Sequence, residues 1–141
     1  MRFPTYASLA GSMMLVTGLV NARAADPDQE KLQGKWNIES FDYNGTAVEV
    51  MKQAVREFKG DKYSLTPKSG EAINGEIKAI DSIKKPKTID LEVNGQTLKG
   101  IYEVDGDTLR LCYSLNNPER PTEFASKPDS GIVLVVHKRA K

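Results

Sequence analysis

The sequence of 141 residues offers few side chains suited to nucleophilic or acid–base catalysis. His137 is the only histidine and Cys112 the only cysteine, so a Ser-His-Asp or Cys-His arrangement would have to use one of them. His137 precedes Lys138 and Arg139 at the end of an apolar run, and this position predicts a histidine on the surface or at a rim. Cys112 alternates with apolar neighbours, which favours a small packed residue over a reactive thiol or an intermolecular disulfide.

Acidic residues are plentiful, but their spacing is not that of a catalytic pair or a metal site. Most of them alternate with apolar residues, as on the solvated faces of strands, and nothing selects two for acid–base work. Asp105-Gly106-Asp107 lacks the further acids and the closing glutamate of a calcium loop, and it predicts a type I′ hairpin turn instead. A single histidine with a single cysteine is a poor basis for a zinc site. We therefore predict no enzymatic activity, no cofactor and no metal.

The first 24 residues differ in character from the rest of the chain. Arg2 precedes an uncharged apolar stretch, and Ala22-Arg23-Ala24 has the small-x-small form of a cleavage site, which together predict a signal peptide. The stretch is too short and too rich in Gly, Ser and Thr to predict a membrane anchor. We therefore expect residues 1–24 to be removed, leaving residues 25–141 as one exported domain, periplasmic or extracellular, without a membrane span.

The charge balance of the exported part excludes one class of partner. Removing Arg2 and Arg23 from the 20 basic residues leaves 18, against 19 acidic residues. Nucleic-acid binding requires a clustered basic face, for which this balance gives no support. We expect a monomer that binds either a small hydrophobic ligand or a protein of the cell envelope.

The elements that must position any binding residue are β-strands. From Lys35 onward, apolar and polar residues alternate with a period of two in about eight segments, separated by turn signals such as Asn44-Gly45 and Asn94-Gly95. Tight hairpins make neighbouring strands antiparallel, and closure removes the two open edges of such a sheet. The pattern predicts an all-β, up-and-down barrel after a short helical turn capped by Asp26, with a two-sheet sandwich as the alternative.

Four side chains are candidates for contact with a ligand. Tyr102 and Tyr113 share the inward parity of their strands and would line a cavity if the barrel is hollow, although a barrel this small is equally able to be filled by its own side chains. Residues 115–130 form the longest connection and carry Arg120, Phe124 and three prolines. This segment predicts either a strap over the barrel, with Phe124 packed inward and Arg120 paired to an acid, or a recognition loop.

Gly34-Lys35-Trp36 resembles the Gly-x-Trp motif of lipocalins at the start of their first strand. The resemblance implies that Trp36 closes one end of the barrel and that a cation after the last strand, Lys138 or Arg139, lies over its indole ring. It also implies a lid formed by residues 46–54 and a cavity for a small apolar ligand.

A longer resemblance covers most of the exported part. It is to an exported lipocalin-like domain family of planctomycete bacteria, and it is carried by residues 32–36, 58–62, 85–91, 100–109 and 120–124. That family implies the fold and the export, but brings no established activity. Two hypotheses follow: a non-enzymatic lipocalin-like domain that binds a small apolar ligand, or a solid-barrel interaction or inhibitor module that uses residues 115–130.

Overall fold

The structure is a computed structural model that describes residues 26–115 and 117–141, so the predicted signal peptide lies outside the described residues. It confirms the all-β prediction, with one helix, α1 (Pro27–Leu32), and a single 3-10 turn at Glu49–Met51 in the described part. The strands are β1 (Gly34–Tyr43), β2 (Thr46–Ala47), β3 (Val55–Lys59), β4 (Lys62–Thr66), β5 (Ile73–Asp81), β6 (Lys87–Val93), β7 (Gln96–Asp105), β8 (Thr108–Ser114) and β9 (Ile132–Arg139).

The strands close into an antiparallel barrel of eight, which excludes the two-sheet sandwich. β1 pairs with β3, the series continues in chain order to β9, and β9 pairs back with β1. This closing register runs from Trp36↔Arg139 to Tyr43↔Val133. The short β2 pairs with the last residues of β1 and is the ninth strand, additional to the ring. Closure leaves no open edge along the eight main strands.

The two ends of the barrel are built differently. One end carries α1, the β3–β4 and β7–β8 hairpins, the β5–β6 loop and the chain terminus after β9. The other end carries the β1–β3 connection with the 3-10 turn, the β6–β7 hairpin and the long connection from β8 to β9. We call the first the closed end, because α1 lies across it, and the second the open end.

The hairpin chemistry agrees with the sequence at two of three turns. Asn44-Gly45 and Asn94-Gly95 have positive φ at both central residues, as type I′ turns require. Between β7 and β8, Gly106 has a φ of +60° but Asp107 does not have a positive φ. The type I′ prediction for that turn is therefore wrong, although the hairpin itself forms there.

The Asp26 cap is present as predicted. Its side chain accepts a hydrogen bond from the Asp28 backbone N–H at 2.9 Å, and Pro27 follows in the first turn. No helix among residues 26–115 and 117–141 combines the length and apolarity needed to cross a bilayer.

Candidate ligand-binding cavity

Trp36 plugs the closed end of the barrel. Its side chain is fully buried, and its indole N–H donates a hydrogen bond to the Leu32 carbonyl at 2.8 Å. The Arg139 guanidinium carbon lies 4.2 Å from the centre of the indole ring, within the range of a cation–π interaction. The helix, the first strand and the last strand therefore meet at one aromatic side chain.

Arg139, and not Lys138, supplies the cation at this end. Its Nη1 donates to the Gln33 carbonyl at 3.0 Å and its Nη2 to the Lys31 carbonyl at 2.9 Å, so it satisfies acceptors at the end of α1. Lys138 lies on the outside of the barrel, where its Nζ donates to Thr108 at 3.0 Å. Gly34 has a φ of +108°, a left-handed conformation that favours glycine at the turn from α1 into β1.

Tyr102 belongs to the closed end of the barrel. Its hydroxyl donates to the buried carboxylate of Asp28 at 2.9 Å, and Lys87 Nζ lies 2.8 Å from the same oxygen. Burial raises the pKa of Asp28, but the hydrogen bonds from Lys87 and Tyr102 outweigh it and leave that pKa below its ordinary value. Tyr102 thus holds α1 to the barrel, and its predicted contact with a ligand stays a prediction.

His137 is fully buried, so the prediction of a surface or rim histidine is wrong. It shares the inward parity of Val133 and Val135 on β9. Its Nδ1 lies 3.0 Å from the Leu109 carbonyl, and its Nε2 lies 3.0 Å from Arg56 Nε. Because a carbonyl only accepts and a guanidinium only donates, Nδ1 carries the proton and Nε2 accepts. The imidazole is therefore neutral and occupied on both nitrogens.

Above the contact between His137 and Arg56, toward the open end, the barrel is hollow. A cavity of about 340 Å³ opens toward the open end. Ile73, which is 41% exposed, lies at its mouth with Asn94 and Gln96. The apolar part of the wall comes from β1, β4, β6 and β7, from the 3-10 turn and from the residue after β8. The residues are Phe41, Met51, Leu65, Val93, Leu98 and Leu115. Such a volume lies at the small end of the range for ligand sites.

Below the amides at the mouth, three polar side chains interrupt this apolar wall: Arg56, Tyr63 and Tyr113. The Arg56 guanidinium carbon lies 5.6 Å from the centre of the Tyr63 ring. Arg56 also contacts His137, which packs edge-on against Trp36 with 6.5 Å between ring centres. Arg56 therefore forms the floor between the closed end and the cavity. Of the four predicted ligand residues, only Tyr113 lines this cavity.

Residues 117–130 form a strap on the outside of the barrel. Arg120 Nη1 donates to the Gly100 carbonyl at 2.9 Å and to the Ile89 carbonyl at 3.3 Å. The same nitrogen lies 2.7 Å from Asp90 Oδ1, but that buried oxygen accepts no hydrogen bond, so this contact is an ion pair made at an unfavourable angle. The predicted pairing of Arg120 with an acid is present, and its guanidinium lies against the barrel wall with the side chain 30% exposed.

The strap also covers Cys112 and places Phe124. Cys112 is fully buried, and its Sγ lies 3.5 Å from the Glu123 carbonyl. Burial raises the pKa of this thiol. Phe124 packs under the Arg110 guanidinium, 4.4 Å from its carbon, on the outer wall and away from the cavity. Arg120 and Phe124 are therefore strap residues that line shallow hollows on the outer surface, and their predicted contact with a ligand stays a prediction.

We expect Cys112 to react with Ellman's reagent about 100-fold more slowly in the folded protein than in urea, because the strap must open first. Arg120→Met removes the hydrogen bonds that hold the strap and should raise the folded-state rate about tenfold. Lys127→Met is the matched control, since its ion pair with Glu123 is exposed and should leave the rate unchanged. Equal rates in both variants would show that Arg120 does not hold the strap.

Comparison of the chain with models of known protein families, with curated proteins and with solved structures found no match. The resemblance to the exported lipocalin-like family stays a prediction. Within residues 26–115 and 117–141, no three His, Cys, Asp or Glu side chains come together as a metal site requires.

Among the charged and phenolic residues of the cavity wall, sequence reasoning missed Arg56 and Tyr63. A signal for both exists in the alternation. Arg56 shares its parity with the buried Phe58 on β3, and Tyr63 shares its parity with the buried Leu65 on β4. A charged residue at an inward position of a barrel strand is the feature that the sequence could have flagged.

Proposed function

We propose that this protein is a non-enzymatic, extracytoplasmic lipocalin-like domain that binds a small, largely apolar ligand inside its barrel. The observation that carries this proposal is the cavity of about 340 Å³ above Arg56, with its mostly apolar wall and its mouth at the open end. A closed sheet with one plugged end and one open end offers a single buried chamber to a ligand. The export part of the proposal rests on the predicted signal peptide over residues 1–24.

Two residues that the sequence offered for catalysis have structural roles, which supports a binding function. His137 uses one nitrogen for the Leu109 carbonyl and the other for Arg56, so neither is available as a general base. Cys112 lies under the strap with a raised pKa, which disfavours the nucleophilic thiolate.

The mouth of the cavity also has the composition expected of an entrance for apolar molecules. Ile73 is 41% exposed at the mouth, and Val50, which precedes the cavity residue Met51 within the 3-10 turn, is 76% exposed. This turn lies within residues 46–54, where the lipocalin resemblance implies a lid. The outer strap is a weaker candidate for a binding surface, because Arg120 and Phe124 already contact the barrel wall.

We expect the neutral dye N-phenyl-1-naphthylamine to bind with one site per chain and to fluoresce in the apolar cavity. Ile73→Trp places a large ring at the mouth and should weaken dye binding about tenfold, because the loss of well-matched cavity space costs about 1.4 kcal/mol or more. Ile83→Trp is the matched control, since Ile83 is 85% exposed in the β5–β6 loop at the closed end. It should bind the dye as the unaltered protein does.

Unchanged dye affinity in Ile73→Trp, or no saturable binding at all, would contradict the proposed cavity function. Native mass spectrometry of protein recovered gently from its own host tests the rest of the proposal. The expected result is the mass of residues 25–141 with an added small molecule that is lost in organic solvent. A chain that still carries residues 1–24 would contradict the export.

A further inference from the structure

The floor of the cavity carries a buried cation whose charge no acidic side chain of the described residues compensates. Arg56 is only 1% exposed, and its one hydrogen bond with the described residues is from Nε to the neutral His137. Its Nη2 is buried and has no acceptor among the described residues. Buried cations in proteins are normally paired, since leaving a charge without a partner in an apolar interior is costly.

The other arginines of the described chain show the usual arrangement. Arg110 pairs with Glu103, Arg120 with Asp90 and Arg139 with Asp107. Arg56 is the most buried of the four, and it is the one without a carboxylate within ion-pair distance in the described part of the chain. A structural role at the barrel floor would be met by a neutral side chain, so the unpaired guanidinium points to a ligand that brings the negative charge.

Two phenols stand in the same cavity wall as Arg56. Tyr63 and Tyr113 both line the cavity, and within residues 26–115 and 117–141 neither hydroxyl has a hydrogen-bond partner. Burial raises the pKa of Tyr63 to about 12, so its hydroxyl keeps its proton at neutral pH and remains a donor. Apart from the Asn94 and Gln96 amides at the mouth, the polar groups of this wall are thus a cation and two hydroxyls, a set suited to an oxyanion.

We propose that the ligand is a small amphipathic carboxylate, with its head group against Arg56 and the two tyrosine hydroxyls and its alkyl chain along the apolar wall toward the mouth. This inference rests on the proposed cavity function and names the chemical class of its ligand. A volume of about 340 Å³ equals that of roughly eleven liquid water molecules, which matches a chain of medium length such as octanoate.

The test compares octanoate with 1-octanol, which has the same chain and no charge, by isothermal titration calorimetry at neutral pH. The purified protein should bind octanoate about tenfold or more tightly than 1-octanol, because charge-assisted hydrogen bonds to Arg56 are available only to the carboxylate. Arg56→Met should lose this preference while still binding 1-octanol. Arg110→Met removes the same charge from the outer wall and should keep the preference.

The outcomes test the chemical class of the ligand separately from the proposed binding function of the cavity. Equal affinities for octanoate and 1-octanol in the unaltered protein would overturn the carboxylate inference and leave the cavity function standing. Binding of neither compound would overturn both. Because the comparison of the two ligands uses the unaltered protein, it stands even if Arg56→Met fails to fold. Arg56→Lys, which keeps the charge without the planar fork, should retain part of the preference for octanoate.

Discussion

Replacing Trp36 with alanine should lower the free energy of unfolding by about 3–5 kcal/mol, the cost typical of emptying a buried aromatic site. The residue is fully buried and joins α1 to the barrel through its hydrogen bond to the Leu32 carbonyl. Because small domains are stable by only about 5–15 kcal/mol, this change should bring the protein close to unfolding. Urea denaturation followed by circular dichroism measures the difference.

Two neighbouring cations provide the graded controls for that experiment. Arg139→Met should cost about 1–3 kcal/mol, since it removes the cation over Trp36 and the donors to the Gln33 and Lys31 carbonyls. Lys138→Met should cost less than about 0.5 kcal/mol, because Lys138 is exposed on the outer wall. Equal losses in the two variants would mean that the contact with Trp36 contributes nothing to stability.

The sequence was sufficient to predict the barrel because its strands alternate cleanly and its turns are marked. Leu109, Leu111 and Tyr113 all point inward as the period of two predicts, and paired Asn-Gly signals locate two hairpins. The period gives the face of a residue but not its height along the barrel axis. Tyr102 and Tyr113 therefore looked equivalent, although one lies at the closed end and the other in the cavity.

The error at His137 has a further physical cause: the alternation of apolar and polar residues does not show which strand faces are covered from outside the barrel. The run 132–136 is apolar on both faces, so the inward parity that continues to His137 was hidden. The strap similarly covers the outward residue Cys112. Arg56 was missed for a different reason: its pairing with His137 joins residues 81 positions apart, and only the closed register of β1 with β3 and β9 brings them together.

His137 should make the stability of the protein depend on pH between about 5 and 7, a range in which few other side chains bind or release protons. Burial, and then the nearby charge of Arg56, hold the pKa of His137 in the folded protein well below its ordinary value of 6.5. In the unfolded chain the imidazole regains that ordinary value. Below pH 6.5 the unfolded chain therefore binds one more proton than the folded protein, and stability falls as the pH falls.

The expected loss is about 2 kcal/mol between pH 7 and pH 5, with a limiting slope of about 1.4 kcal/mol per pH unit. Above pH 7 this contribution is constant. The pKa values of Asp26 and Asp28 lie below their ordinary value of 3.8, so the stability that these carboxylates add is lost only as the pH falls toward and below that value. Urea unfolding at several pH values between 5 and 7.5 therefore measures the contribution of His137 to the pH dependence of stability.

His137→Gln is the matched control, because an amide can donate to the Leu109 carbonyl and accept from Arg56 without binding a proton. Its stability should vary little between pH 7 and pH 5, whatever its absolute value. A variant that keeps the full slope would assign the pH dependence to other groups. A flat profile in the unaltered protein would mean that His137 takes up its proton in the folded state, which the contact of its Nε2 with a guanidinium N–H forbids unless the floor of the cavity opens.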